Sequence, residues 1–187
     1  MSVEQWIDLQ CHRARPQMVR TLQVCLRRHG NEVRVRFRLD GDRRRIIIPV
    51  PCEPRINTQL WRHTCFEAFI AIAGQAAYHE FNFAPSGEWC IYAFRGYRDG
   101  EPLADETMRP RIDVRFTGSG LELDALVRLD TLSAIHAAAP MRIGLAAVIE
   151  TADGLSYWAL RHPADRPDFH NADGFALRLD PPGAEIS

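Results

Sequence analysis

The chain has 187 residues, 46% hydrophobic and 25% charged, with a formal net charge of −1. That length suits one soluble domain, which buries roughly two-thirds or more of its unfolded surface without needing staples. The near-zero charge argues against a non-specific nucleic-acid binder, and no apolar run approaches the ~20 residues of a membrane helix.

From the N-terminus, Met1-Ser2-Val3-Glu4-Gln5-Trp6 has neither the basic start nor the apolar core of a secretory signal, so a cytoplasmic protein is expected. The five cysteines, Cys11, Cys25, Cys52, Cys65 and Cys90, are odd in number and contain no CxxC pair. They predict reduced, mostly buried thiols rather than disulfides or zinc. All 23 basic residues are arginine. Schiff-base chemistry and a GxxxxGK phosphate loop, which both need lysine, are therefore excluded.

Residues 20–27, 33–39 and 43–50 read as a three-strand meander. Val33, Val35, Phe37 and Leu39 alternate with Arg34, Arg36 and Arg38, and His29-Gly30-Asn31 and Asp40-Gly41-Asp42 supply turns. Further strands are predicted at 64–73, 78–84, 88–95, 111–116, 121–128, 141–150, 155–160 and 174–180. Gly118-Ser119-Gly120 and Ala152-Asp153-Gly154 turn the later pairs. Only Asp130–Ala139 reads as helix, with Asp130 or Thr131 as cap and Leu132, Ile135 and His136 on one face. Pro181-Pro182-Gly183 predicts a frayed tail. About ten short strands and one short helix make an all-β protein, an antiparallel β-sandwich forming one domain over 1–187.

Three stretches mix aromatic rings with hydrogen-bonding groups: Leu60–Glu67, Tyr78–Phe83, and Tyr157-Trp158 through Asp168-Phe169-His170. On strand 64–73, Phe66, Ala68, Ile70 and Ile72 form a core face, leaving Glu67 and Phe69 on the other. On 78–84, His79, Phe81 and Phe83 oppose Tyr78, Glu80 and Asn82. Paired as a hairpin, the two strands put Glu67, Phe69, Tyr78, Glu80 and Asn82 on one non-core face. That face is a candidate groove for a flat ligand, or a face whose rings are covered by a loop. The loop Arg161–Asn171 carries His162, Asp168 and His170, and Pro163 and Pro167 stiffen it. Trp158 reads as core, Trp89 as core or site, and Trp61 as a site ring or a buried anchor.

The segments LWRHTCFEAFI, YHEFNFAPSGEW, YWALRHP and PDFHNADGFALRL resemble the DOMON-like group, which is related to family-nine carbohydrate-binding modules. The resemblance spans roughly 55–180 and implies a β-sandwich that binds a sugar or haem. It implies that Trp61 stacks on the ligand while Glu67, six residues on, holds hydroxyls, and that Asn82 adds a polar group. Phe169 stands where such relatives carry a second aromatic, which in them is tryptophan. The implied protein is a non-catalytic module for a small carbohydrate or sugar-containing metabolite. Trp61 and Phe169 would stack on it, Glu67, Asn82 and His170 would hydrogen-bond it, and Glu80 and Asp168 stand in reserve.

Two alternatives remain. The implied module carries no cofactor, but a haem-binding DOMON-type domain would need two axial ligands facing each other across an apolar pocket, from Met108, Met141, His63, His79, His162 and His170. A metal-dependent enzyme would use His162, Asp168 and His170 of the 162–170 loop, or Glu67 and Glu80 as a carboxylate pair. Ser86 lies outside any GxSxG elbow and reads as a turn serine.

Overall fold

A computed structural model of the chain describes residues 4–181. In chain order its strands are β1 (Ile7–Asp8), β2 (Gln10–Cys11), β3 (Val19–His29), β4 (Glu32–Gly41), β5 (Ile46–Ile47), β6 (Cys65–Ile72) and β7 (Tyr78–Phe83). Then follow β8 (Trp89–Gly96), β9 (Asp99–Leu103), β10 (Arg111–Thr117), β11 (Gly120–Arg128), β12 (Met141–Thr151), β13 (Gly154–Ala159) and β14 (Leu177–Leu179). They build an antiparallel β-sandwich. The smaller sheet runs β1-β3-β4-β11-β10, and the larger runs β2-β13-β12-β6-β7-β8-β9 with β5 and β14 also paired to β12.

Period-two alternation sets the core. Val33, Val35, Phe37 and Leu39 from β4 face Phe66, Ala68, Ile70, Phe81 and Phe83 from β6 and β7, and all are buried. The rings of Phe37 and Phe66 meet across the sandwich at 4.9 Å between centroids. On the outside of the smaller sheet Arg34, Arg36 and Arg38 pair with Asp124, Glu4 and Glu122. Such exposed pairs contribute little stability individually but keep that face solvated.

The expected meander is corrected at its third member. β3 and β4 form the predicted hairpin over Gly30 (φ 59°), but β11 pairs with β4 where residues 43–50 were expected. Only Ile46–Ile47 is extended there, and it pairs with β12 of the other sheet. The run Arg43–Arg45 forms a turn in which the Arg45 amide donates to the Asp42 carbonyl. The strand expected at 174–180 shrinks to Leu177–Leu179, and the helix to Ala134–Ala138, capped by Ser133 rather than Asp130 or Thr131. Its His136 is buried whereas Ile135 is exposed, so the two do not share a face. β9, a mostly exposed edge strand containing Gly100 and Pro102, has no counterpart among the predicted strands. Of the tail expected to fray, residues 182–187 lie outside the described residues.

Among the described residues no helix is long and apolar enough to cross a membrane. Described cysteines Cys25, Cys65 and Cys90 are buried, Cys11 is half-buried and Cys52 is exposed; none is bonded to another.

Candidate functional site

The side of the larger sheet that faces away from the core carries the unusual residues. Antiparallel pairing sets Glu67 opposite Asn82 and Phe69 opposite Glu80 on β6 and β7, and Glu80 opposite Tyr92 on β8. On β12, Ala146 lies beside Glu67 and Gly144 beside Phe69. Strand parity places all of these on one face.

One end of this face is sealed. After β13 the chain runs back across the sheet and inserts Phe175, which stacks on Phe69 at 5.6 Å and meets Tyr78 edge-on at 5.5 Å. Gly144 makes room for it: a Cβ there would lie 2.6 Å from the Phe175 ring. Phe69, Ala71, Tyr78, Phe94, Ala146, Ala159 and Phe175 form this second apolar cluster.

The returning segment is pinned along its length. His162 Nε2 bonds the Gln10 carbonyl at 2.8 Å, and Asp168 accepts from the Tyr97 hydroxyl at 2.8 Å and from Arg98 Nη2 at 2.9 Å. Arg142 Nη2 donates to the Ala172 carbonyl at 2.6 Å. The Tyr78 hydroxyl accepts from the Arg98 amide at 3.2 Å and meets His170 Nδ1 at 2.9 Å. Burial pushes the His170 pKa down to about 4, so the ring is neutral at pH 7 and its 3.7 Å contact with Glu80 is not an ion pair.

Beside the sealed end the face stays open. A cavity of about 390 Å³ is walled by Trp61, Tyr92, Phe94, Tyr157 and Phe169, with Glu67, Glu80, Arg98 and His170 supplying polar groups. Trp61 is 44% exposed, on a short 3₁₀ turn (Leu60–Arg62) that leads into β6. The core takes Leu60 and leaves the indole at the rim.

The carboxyls are the electrostatic anomaly. Glu67 is 3% exposed, and its Oε1 has no hydrogen-bond partner among the described residues. Burial, then the neighbouring Glu80, raises its pKa well above the ordinary carboxylate range. Burial likewise pushes Glu80 up to about 7, opposed by the hydrogen bond that its Oε1 accepts from Asn82 Nδ2 at 2.6 Å and by the charge of Arg98. Asn82 Oδ1 in turn accepts from the Cys65 thiol at 3.5 Å. The floor is thus two carboxyl groups in an apolar setting, one held by an amide and one free to bind. A buried unpaired acceptor of this kind is costly, which motivates a ligand that satisfies it.

The chain matches no protein-family model, and no curated protein matches it in sequence. Solved structures do match in shape. A protein from Bacteroides uniformis ATCC 8492 assigned as carbohydrate-binding aligns over 91% of this chain and 84% of its own, at TM-score 0.66 and 12% identity. A family-nine carbohydrate-binding module from Caldicellulosiruptor kristjanssonii aligns in its glucose complex over 98% and 87%, at TM-score 0.56 and 12% identity. In its cellotriose complex such a module aligns over 84% and 72%, at TM-score 0.51 and 13% identity. This chain has the family-nine fold.

On that fold the seven sequence candidates separate. Trp61, Glu67, Glu80, Phe169 and His170 all line the one cavity. Asn82 sits behind it, holding Glu80, and Asp168 points to Tyr97 and Arg98 at the edge. Trp61 is not a buried anchor; Trp89 and Trp158, both in the core, are. Ser86 donates to Glu88 inside its turn.

His162, Asp168 and His170, offered above as a metal set, are turned to Gln10, Arg98 and Tyr78 respectively, and no three His, Cys, Asp or Glu side chains among the described residues converge for a metal ion. Of the residues offered as haem ligands, His170 alone lines the cavity; Met141 is in the core, His63 pairs with Glu150 and His79 packs on His136.

Tyr92, Phe94 and Arg98 were not singled out from the sequence, and Tyr157 was named in its stretch but not as a site residue. Parity on β8 and β13 was signal enough for the three rings, since Ile91 and Trp158 are plain core residues. Arg98 sits at φ 56° in the β8–β9 turn, and nothing in its neighbours announces a cavity.

Proposed function

We propose that the chain is a non-catalytic module that binds a small carbohydrate or sugar-containing metabolite in this cavity. One observation carries the reading: exposed and half-buried rings surround a buried, unpartnered carboxyl oxygen on Glu67. Sugar rings present apolar C–H faces and hydroxyl edges, so Trp61 and Phe169 offer stacking surfaces while Glu67, Glu80 and His170 offer hydrogen-bonding groups. The sugars held by the family-nine neighbours, glucose and cellotriose, support the ligand class. The resemblance to DOMON-like domains agrees with it. Free cysteines throughout support a reducing, cytoplasmic setting, and with it a metabolite in preference to a secreted polymer.

Titration with glucose and cellobiose, followed by tryptophan fluorescence, tests the reading. Trp89 and Trp158 are buried and Trp6 lies under Arg36 and Arg38 on the smaller sheet, so ligand-dependent emission should come chiefly from Trp61. A saturable change that disappears in Trp61→Ala, with melting temperature unchanged, is the expected result. Undiminished binding by Trp61→Ala refutes the site. Release of free sugar from a glycoside on incubation would show catalysis instead.

A further inference from the structure

Sugar hydroxyls alone do not account for the floor. A neutral sugar's hydroxyls can donate to a carboxylate but bring no positive charge to a pair of them. Here Glu67 and Glu80 share the same apolar-walled space, and two such groups cannot both ionise without a compensating cation. Cys65, Tyr78, Cys90, Tyr92, Arg98 and His170 face the pair. Arg98 is the cation among them at neutral pH, and its guanidinium is committed to Asp168 at 2.9 Å and to Tyr97 at 3.3 Å. The walls add Trp61, Tyr92, Tyr157 and Phe169, whose π faces attract a positive group.

Resting on the sugar-binding reading and narrowing it, we infer that the cavity is built for a ligand bearing an ammonium group, an amino sugar or an amino-sugar metabolite. The ammonium would sit between Glu67 and Glu80 within the ring of aromatic side chains. Its positive charge lets one carboxyl of the pair ionise while the other keeps its proton. The proton lost goes to solvent, and the new carboxylate is balanced by the ammonium. The raised pKa values of both groups agree with this exchange.

The test is calorimetric titration at pH 6.5 with glucosamine, glucose and N-acetylglucosamine, each in two buffers of different ionisation enthalpy. Glucosamine should bind at least about tenfold more tightly than glucose or the acetylated sugar, the gain of a charge-assisted contact over a neutral one. Its apparent enthalpy should depend on the buffer, reporting net proton release. In Glu67→Gln and Glu80→Gln the glucosamine-to-glucose affinity ratio should fall toward one; glutamine keeps the shape of the buried neutral acid, so the fold is retained. Equal or tighter binding of glucose, without proton release, overturns this inference and leaves the sugar reading standing. Failure of all three sugars to bind overturns both.

Discussion

Replacing Glu80 with glutamine gives a stability difference whose size and pH dependence follow from the structure. Glu80 is 5% exposed, and burial lifts its pKa from an ordinary 4.5 to about 7. The folded state therefore holds this proton more tightly than the unfolded chain does. Its contribution is fully present below pH 4.5 and is lost as pH rises through about 7. At about 1.4 kcal/mol per pH unit, the loss amounts to about 3 kcal/mol. Total stability will not show this directly. His79 and His170, each pushed down to about 4 by burial, impose the opposite slope, losing stability as pH falls from 6.5 toward 4. The difference between Glu80→Gln and wild type removes those imidazole contributions.

The amide oxygen introduced by Glu80→Gln would still accept from Asn82 Nδ2, so the two proteins should be nearly equal in stability at pH 4. By pH 8 the variant should be more stable by about 3 kcal/mol. Glu67, relieved of its like-charged neighbour, adds to that gain with the same sign. Urea unfolding followed by circular dichroism at pH 4, 5.5, 7 and 8, with unchanged m-values, measures the difference. A difference that stays flat across the series would refute the claim that these carboxyls are desolvated.

Three further outcomes follow from the packing. Gly144→Ala should cost about 1–3 kcal/mol in urea unfolding, because its Cβ would enter the Phe175 ring at 2.6 Å and that ring is held by Phe69 and Tyr78. Tyr78→Phe removes the hydroxyl that joins the Arg98 amide to His170. A loss of about 1 kcal/mol is expected, with faster hydrogen exchange at the Arg98 amide; unchanged exchange would contradict the bond. Trp61→Ala should leave stability within about 0.5 kcal/mol, since the indole is 44% exposed, and a larger loss in thermal melts would restore it to the core.

Sequence alone determined the class of fold and the two faces of its central strands. A strand's side chains alternate by geometry, so Phe66, Ala68 and Ile70 had to oppose Glu67 and Phe69 once residues 64–73 were extended. The same rule separated Phe81 and Phe83 from Glu80 and Asn82, and it could have reached Tyr92 and Tyr157. Pairing lay beyond it. Residues 43–50 are apolar enough for a strand, yet β11 takes the place beside β4, because which strand fills an edge depends on contacts distant in the chain. The tertiary structure alone decided what covers the outer face. Phe175 seals one end only because Gly144 lies a whole strand away to admit it, and Arg98 reaches the cavity only because its turn stands beside the returning segment. The protonation of Glu67 and Glu80 was equally hidden: a carboxyl's pKa depends on its burial and its neighbours, and only the assembled sheet brings those two together in an apolar space.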